Sequence, residues 1–421
     1  MSWRRIWQAN RRAAVIALVA AVGLVVVPRI VNRRDPPTTS LPTASTIALQ
    51  DSSARVGNES WAPWPQALHD AQHSGTSPVD GPTTGEVRWS RDLGAGITPG
   101  PVIGEDGTIY ASTNDGILLA LDPLTGKVQW RLDGGSVSFG DLSTSPAVLP
   151  SGSILWLGAD GQLSLVSADG RLEWRKQLSG LVMSPAVQDD ETVAIATDDG
   201  TVLLLDVSRA EPIVRWSIDL GARSYGSPVL SADGSTVYQS VLTGVVALRE
   251  GKVVWRSTAP ADIVEVSAAV APDGTVVVGS NDFFEYGLDP SDGHTLWRHN
   301  RGTGTYSSPI ATTDGLIYFG DDTAGITALT SSTGDPVFRF QGSREMLFDR
   351  GLGFWTAPVV DASHRVYGGT RQGIIYGVGP DGPQLFSLNT SETIDSYPAL
   401  TGDGALIVGD SSGVLRAIAD N

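Results

Sequence analysis

From about residue 61 onward, hydrophobic and polar positions alternate with a period of two, in short runs broken by glycine, proline and aspartate. The stretch from Ala120 to Trp130, A-L-D-P-L-T-G-K-V-Q-W, is representative. Leu119 and Leu121 alternate with smaller neighbours as a half-buried strand does. Asp122, Pro123, Thr125 and Gly126 supply turn chemistry: a fixed φ, a residue that tolerates φ > 0, and a carboxylate that bonds backbone within the turn. Val128 and Trp130 then resume the alternation on a return strand.

The pattern recurs. Its closing aromatic stands at Trp89, Trp130, Trp174, Trp216, Trp255, Trp297, Phe338 and Phe386, at spacings of 41, 44, 42, 39, 42, 41 and 48. A small residue and proline before an apolar run marks each unit's start, at Pro101, Pro146, Pro185, Pro228, Pro309, Pro358 and Pro398. Ser267-Ala268-Ala269-Val270 holds the register where proline is missing. Each unit thus predicts four short strands in about 42 residues, which is one propeller blade. Trp89 precedes the first proline, and the unit begun at Pro398 lacks its own tryptophan strand. The spacing therefore predicts an all-β, eight-bladed β-propeller over residues 61–421, closed by the strand Glu86 to Trp89 completing the blade begun at Pro398.

The A-L-D-x-x-T-G-x-x-x-W unit, preceded by S-P-x-V and Asp-Gly turns, resembles the repeat of the pyrroloquinoline-quinone (PQQ) type propellers. That group holds both quinoprotein alcohol dehydrogenases and the non-enzymatic, BamB-like outer-membrane assembly scaffolds. The segment Trp64 to Gly75 is similar to what precedes the first blade in that group. Such a repeat specifies fold far better than function.

Composition narrows the choices. Net charge is −17, and the seven arginines in residues 1–34 leave a body of 22 bases against 46 acids. That body repels nucleic acid, so protein partners are expected and nucleic acid is not. With no cysteine, disulfides, thiol catalysis, thiolate metal sites and lipid-modified cysteine are all excluded.

Residues 1–34 carry basic flanks around the apolar run Ala13 to Val27, short for a spanning helix but usable if Arg29 snorkels. They read as an uncleaved N-terminal transmembrane anchor, with a cleaved signal peptide as the alternative. The flanking arginines leave the N-terminus inside and the propeller on the extracytoplasmic side. Residues 35–60, rich in proline, serine and threonine, read as a linker.

Candidate chemistry lies where each chain segment enters an innermost strand, because those residues ring one mouth of the central channel. They are Phe139, Asp141, Met183, Arg223, Tyr225, Glu265, Tyr306, Trp355, Asp395 and Tyr397, a mixed aromatic and acidic collar. The resemblance implies, as an alternative, PQQ and a calcium ion on the axis. Glu265, Asp395 and Asp141 could supply oxygens of the kind calcium prefers and Trp355 or Tyr306 a stacking ring, though the family's ligand motif does not map residue by residue. The vicinal cysteines of the dehydrogenases are absent, and neither a catalytic residue nor a metal site is assigned. The longest interval, between Phe338 and Pro358, carries Met346, Leu347 and Phe348, read as a small satellite core or a partner-docking loop. Phe283 and Phe284 replace residues that are small or polar in other units and read as local packing. His69 and His73 read as part of a surface turn, the Asp-Gly pairs as turn formers and the Ser-Pro pairs as structural. The expected function is a non-catalytic, membrane-anchored interaction scaffold or accessory subunit of a membrane complex. A PQQ-dependent dehydrogenase of an alcohol or sugar is the alternative.

Overall fold

The computed structural model describes residues 63–134, 144–158, 161–178, 180–181, 183–189, 191–208, 211–260, 264–342 and 353–420. The expected anchor, the linker, Phe139, Asp141 and the loop residues Met346, Leu347 and Phe348 lie outside them. Among the described residues no helix is long and apolar enough to cross a membrane.

The described residues form eight four-stranded antiparallel sheets. Numbered by their innermost strands, blades 1 to 8 begin at Val102–Ile103, Ala147–Val148, Ala186–Val187, Val229–Leu230, Ala269–Val270, Ile310–Ala311, Val359–Val360 and Ala399–Leu400. The expected closure is present. Val87–Asp92 pairs with Val414–Ile418, with Trp89 opposite Ala417, and so completes blade 8.

The repeated motif explains how blades lock together. In every sheet the register shifts once between the third and fourth strands, as at Ala120/Leu121 and Gly287/Leu288. Such a bulge bends the outer strand and increases its twist. The outer-strand aromatic of one blade then lies against the turn glycine of the next. A Cβ at Gly126 would stand 2.5 Å from Trp89, and at Gly293 or Gly334 the same distance from Trp255 or Trp297. Indole Nε1 donates into the same turn: Trp89 to Pro123 O at 2.9 Å, Trp130 to Ala168 O at 2.8 Å, and Trp255 to Pro290 O at 2.9 Å. The glycine is required twice, by its positive φ (+63° at Gly126) and by the indole above it. Trp89 docking on blade 1 closes the ring a second time.

A belt of serine hydroxyls lines the inner wall. Gly100 N donates to Ser145 Oγ (2.9 Å), Ser145 N to Ser184 Oγ (3.0 Å), Ser227 N to Ser267 Oγ (2.8 Å) and Ser267 N to Ser308 Oγ (3.1 Å). Each hydroxyl satisfies the N–H two residues before the inner strand of the preceding blade, which would otherwise go unpaired. This is the structural role expected of the Ser-Pro pairs.

The segment carrying His69 and His73 is not a surface turn. Residues 64–79 follow the far ends of the inner strands and bond almost every blade in turn. Trp64 and Ile103 exchange two bonds in blade 1, at 3.0 and 2.8 Å. Pro65 O accepts from Val148 in blade 2, and Gln66 Oε1 from Val187 in blade 3. Ala71, Gln72 and His73 carbonyls accept from Leu230, Val270 and Ala311 in blades 4, 5 and 6, and Gly75 O from Val360 in blade 7. The segment thus pairs with the edge that inner strands would otherwise leave open. His73 is 3% exposed, with Nδ1 2.8 Å from Ala268 O. Burial pulls its imidazole down to about 4, against a smaller upward pull from that carbonyl and from Asp70.

Candidate functional site

Each inner strand runs from the collar to the opposite mouth, where residues 64–79 bond its far end. The two mouths therefore differ: one is lined by this N-terminal segment, the other by side chains preceding each inner strand.

At the collar, the position three residues before each inner-strand proline or its equivalent carries Tyr225, Glu265, Tyr306, Trp355 and Asp395 in blades 4 to 8. None of the five is fully buried. A second ring comes from the hairpin between the second and third strands and includes Asp198, Asn281, Asp322 and Arg371. The two rings interlock. Arg223 binds the Asp198 carboxylate at 2.7 Å and lies over the Tyr225 ring at 5.3 Å. Asn281 Nδ2 donates to Glu265 Oε2 at 3.0 Å. Tyr306 stacks on Trp355, with centroids 4.2 Å apart and an interplanar angle of 26°. Arg371 stands 3.9 Å from the Trp355 ring centroid, and its Nε is 3.2 Å from Asp395 Oδ1. Burial, with Glu265 and Asp322 nearby, raises the Tyr306 hydroxyl above the ordinary phenol value.

Other expected collar members sit differently. Met183 is buried. Tyr397 is half-buried and reaches from blade 8 to hydrogen-bond the Ser308 side chain in blade 6, and burial raises its hydroxyl.

Two residues near the collar carry more than the repeat reveals. Phe284 packs on the blade core, with Arg298 over its ring at 4.9 Å. Phe283 instead is 43% exposed at φ +75°, in the turn that also carries Asn281. Glycine fills the equivalent place at Gly116, Gly200 and Gly413. A bulky aromatic held there is strained, and such outliers gather at functional sites. Behind the collar, Arg301 and Glu285 form a fully buried ion pair at 3.1 Å. Burial pushes Glu285 up to about 7, opposed by Arg301.

Elsewhere, Asp289, Asp292 and His294 lie close together on an exposed turn. Their hydrogen bonds are those of the turn itself, Asp289 to Ser291 and Asp292 to His294.

Comparison with known proteins agrees with this architecture. The family described as outer membrane protein assembly factor BamB matches residues 80–180, 135–284 and 213–420. The outer membrane protein assembly factor BamB of Yersinia pestis is 24% identical, over 76% of this chain and 85% of its own. Protein Rv3035 of Mycobacterium tuberculosis is 25% identical, over 85% of this chain and 94% of its own. The crystal structure of quinohemoprotein alcohol dehydrogenase from Comamonas testosteroni superposes with a TM-score of 0.67 at 14% identity, covering 85% of this chain and 80% of that one. That likeness is one of fold. With the family spanning all eight blades, the chain belongs to the PQQ-type repeat propellers described as outer membrane protein assembly factor BamB.

Proposed function

We propose that this protein is a non-catalytic interaction scaffold, an accessory subunit of a membrane-associated complex, that receives protein partners at the collar mouth. The observation that carries the reading is the asymmetry of the channel. One mouth is lined by residues 64–79 bonded to seven blades, while the other presents Arg223, Tyr225, Glu265, Tyr306, Trp355 and Asp395 on a rigid ring. Aromatic and arginine side chains of this kind dominate binding at protein interfaces. The relatives named as assembly factors support the same class.

A cofactor-free collar is part of the proposal. A planar quinone needs a bare aromatic platform, and a calcium ion needs free carboxylates. Trp355 is occupied by Tyr306 and Arg371, and Asp395 by Arg371. Glu265 meets only the neutral Asn281 amide, and one carboxylate falls short of the roughly six to eight oxygens that calcium takes. The residues present therefore do not suit that group. Residues 1–34 are proposed as a membrane anchor and 35–60 as a linker, displaying the ring on the extracytoplasmic side. The inserted loop with Met346, Leu347 and Phe348 is proposed to extend the docking surface, as its apolar run suggests.

The test is co-purification from membranes. Tyr306→Ala with Trp355→Ala, and separately Met346, Leu347 and Phe348→Ser, are expected to lose the co-purifying protein while the ring still folds. Retention of that protein by the collar variant would refute the collar reading. Titration with PQQ and calcium is expected to give neither cofactor absorbance nor dye-linked alcohol oxidation, and either signal would contradict a cofactor-free scaffold.

A further inference from the structure

The aromatic stack at the collar has two ends. At the blade 8 end, the Arg371 guanidinium lies 3.9 Å from the Trp355 ring centroid, and Asp395 holds it at 3.2 Å. This is a complete carboxylate, cation and aromatic sandwich. At the blade 5 end, Tyr306 is covered by Trp355 on one side and is 38% exposed. Its neighbour around the ring is Glu265. Tyr306 and Glu265 stand two residues before Ser308 and Ser267, and Ser267 N donates to Ser308 Oγ at 3.1 Å, which sets blades 5 and 6 side by side here. Glu265 accepts from the neutral Asn281 amide, and among the described residues no arginine, lysine or histidine forms an ion pair with it. The blade 5 end thus repeats the carboxylate and the aromatic of the blade 8 end without the cation between them.

We propose that the Tyr306–Glu265 end of the collar binds an arginine side chain of a partner protein, its guanidinium over the Tyr306 ring and against the Glu265 carboxylate. The inference rests on the scaffold reading above and names the chemistry of its partner. Charge favours it, since the chain carries a net −17 and the collar's own arginines, Arg223 and Arg371, are already paired with Asp198 and Asp395. Arginine fits better than lysine because a planar guanidinium can stack on a ring while its edge N–H groups donate to a carboxylate. Exposed Phe283, two residues after Asn281, supplies an apolar rim that shields such a contact from water.

The probe is the peptide acetyl-Gly-Arg-Gly-amide, with its uncharged citrulline counterpart, titrated onto the full chain in detergent and read by saturation-transfer NMR. The arginine peptide is expected to bind about tenfold more tightly than the citrulline peptide, in line with a partly desolvated cation–π contact. Glu265→Gln and Tyr306→Leu are each expected to weaken it about tenfold. Tyr306→Phe, which keeps the ring and its stack, should bind as the parent does. Glu173→Gln, an equal loss of charge on an exposed outer strand, should change nothing. Equal binding of both peptides, or equal effects of Glu265→Gln and Glu173→Gln, would overturn the proposal and leave only diffuse attraction to an acidic surface. Either result leaves the scaffold reading intact, because that reading fails only if the collar variants keep their co-purifying protein.

Discussion

Phe283 is the residue at which local physics and the repeat disagree most openly. A left-handed φ costs a non-glycine side chain about 1–2 kcal/mol, and its ring remains exposed where most matching turns use glycine and blade 6 uses the small Ala324. Phe283→Gly is therefore expected to raise stability by about 1 kcal/mol in urea unfolding while weakening partner capture. Loss of stability would mean that the ring packs after all. The buried pair behind it makes a second prediction. Glu285→Ala leaves the Arg301 guanidinium buried without its counter-ion, at a cost of about 3–5 kcal/mol. Replacing both, as Glu285→Leu with Arg301→Met, is expected to recover most of that loss, and a double-mutant cycle measures the difference. The pattern of the chain exposed both phenylalanines as departures but could not tell the packed one from the exposed one. Adjacent strand-end residues point opposite ways, and the turn's handedness decides which is which.

At the scale of the element, stability resides in the joint between blades. The turn glycine and the preceding blade's tryptophan act as one unit, so Gly293→Ala must both hold alanine at φ +76° and move the Trp255 indole. The expected cost is about 2 kcal/mol or more, the left-handed penalty plus lost packing. Trp255→Ala alone is expected to cost about 3–5 kcal/mol. The double variant should cost less than the sum of the two single costs, because the clash disappears with the indole. Full additivity would break the link. The A-L-D-x-x-T-G-x-x-x-W spacing made the glycine turn and the outer aromatic legible, because each is dictated by local geometry, but not the bulge or the joint to the neighbouring blade. Residues 64–79 were not legible. They give each of blades 1 to 7 between one and three bonds and then move to the next, so neither a period of two nor of 3.6 can form. His73 looked like a turn residue because its partners, Ala268 and Ala311, lie far along the chain, whereas His69 bonds its neighbours Gln66, Asp70 and Ser74.

For the whole molecule, the N-terminal segment couples ring stability to pH. His73 titrates near 4 when folded and near 6.5 when unfolded. Its contribution is complete above about pH 6.5 and is lost as pH falls toward 4, by about 3 kcal/mol in all. His73→Phe is expected to flatten the stability profile over that interval, and an unchanged slope would place the acid sensitivity elsewhere. Architecture, closure and blade number could be derived from the spacing because a ring of repeats has few solutions. The collar could be placed but not detailed, since the Tyr306, Trp355, Arg371 and Asp395 contacts join three blades and no linear pattern records them.

Site-specific photo-crosslinking compares the two mouths most directly. With a benzoyl-phenylalanine at Tyr225 on the collar, and separately at exposed Glu105 just past the far end of the first inner strand, the same full chain is irradiated in its native membrane. Partner adducts from position 225 and none from position 105 are the expected outcome. Adducts from position 105 alone would contradict recognition at the collar.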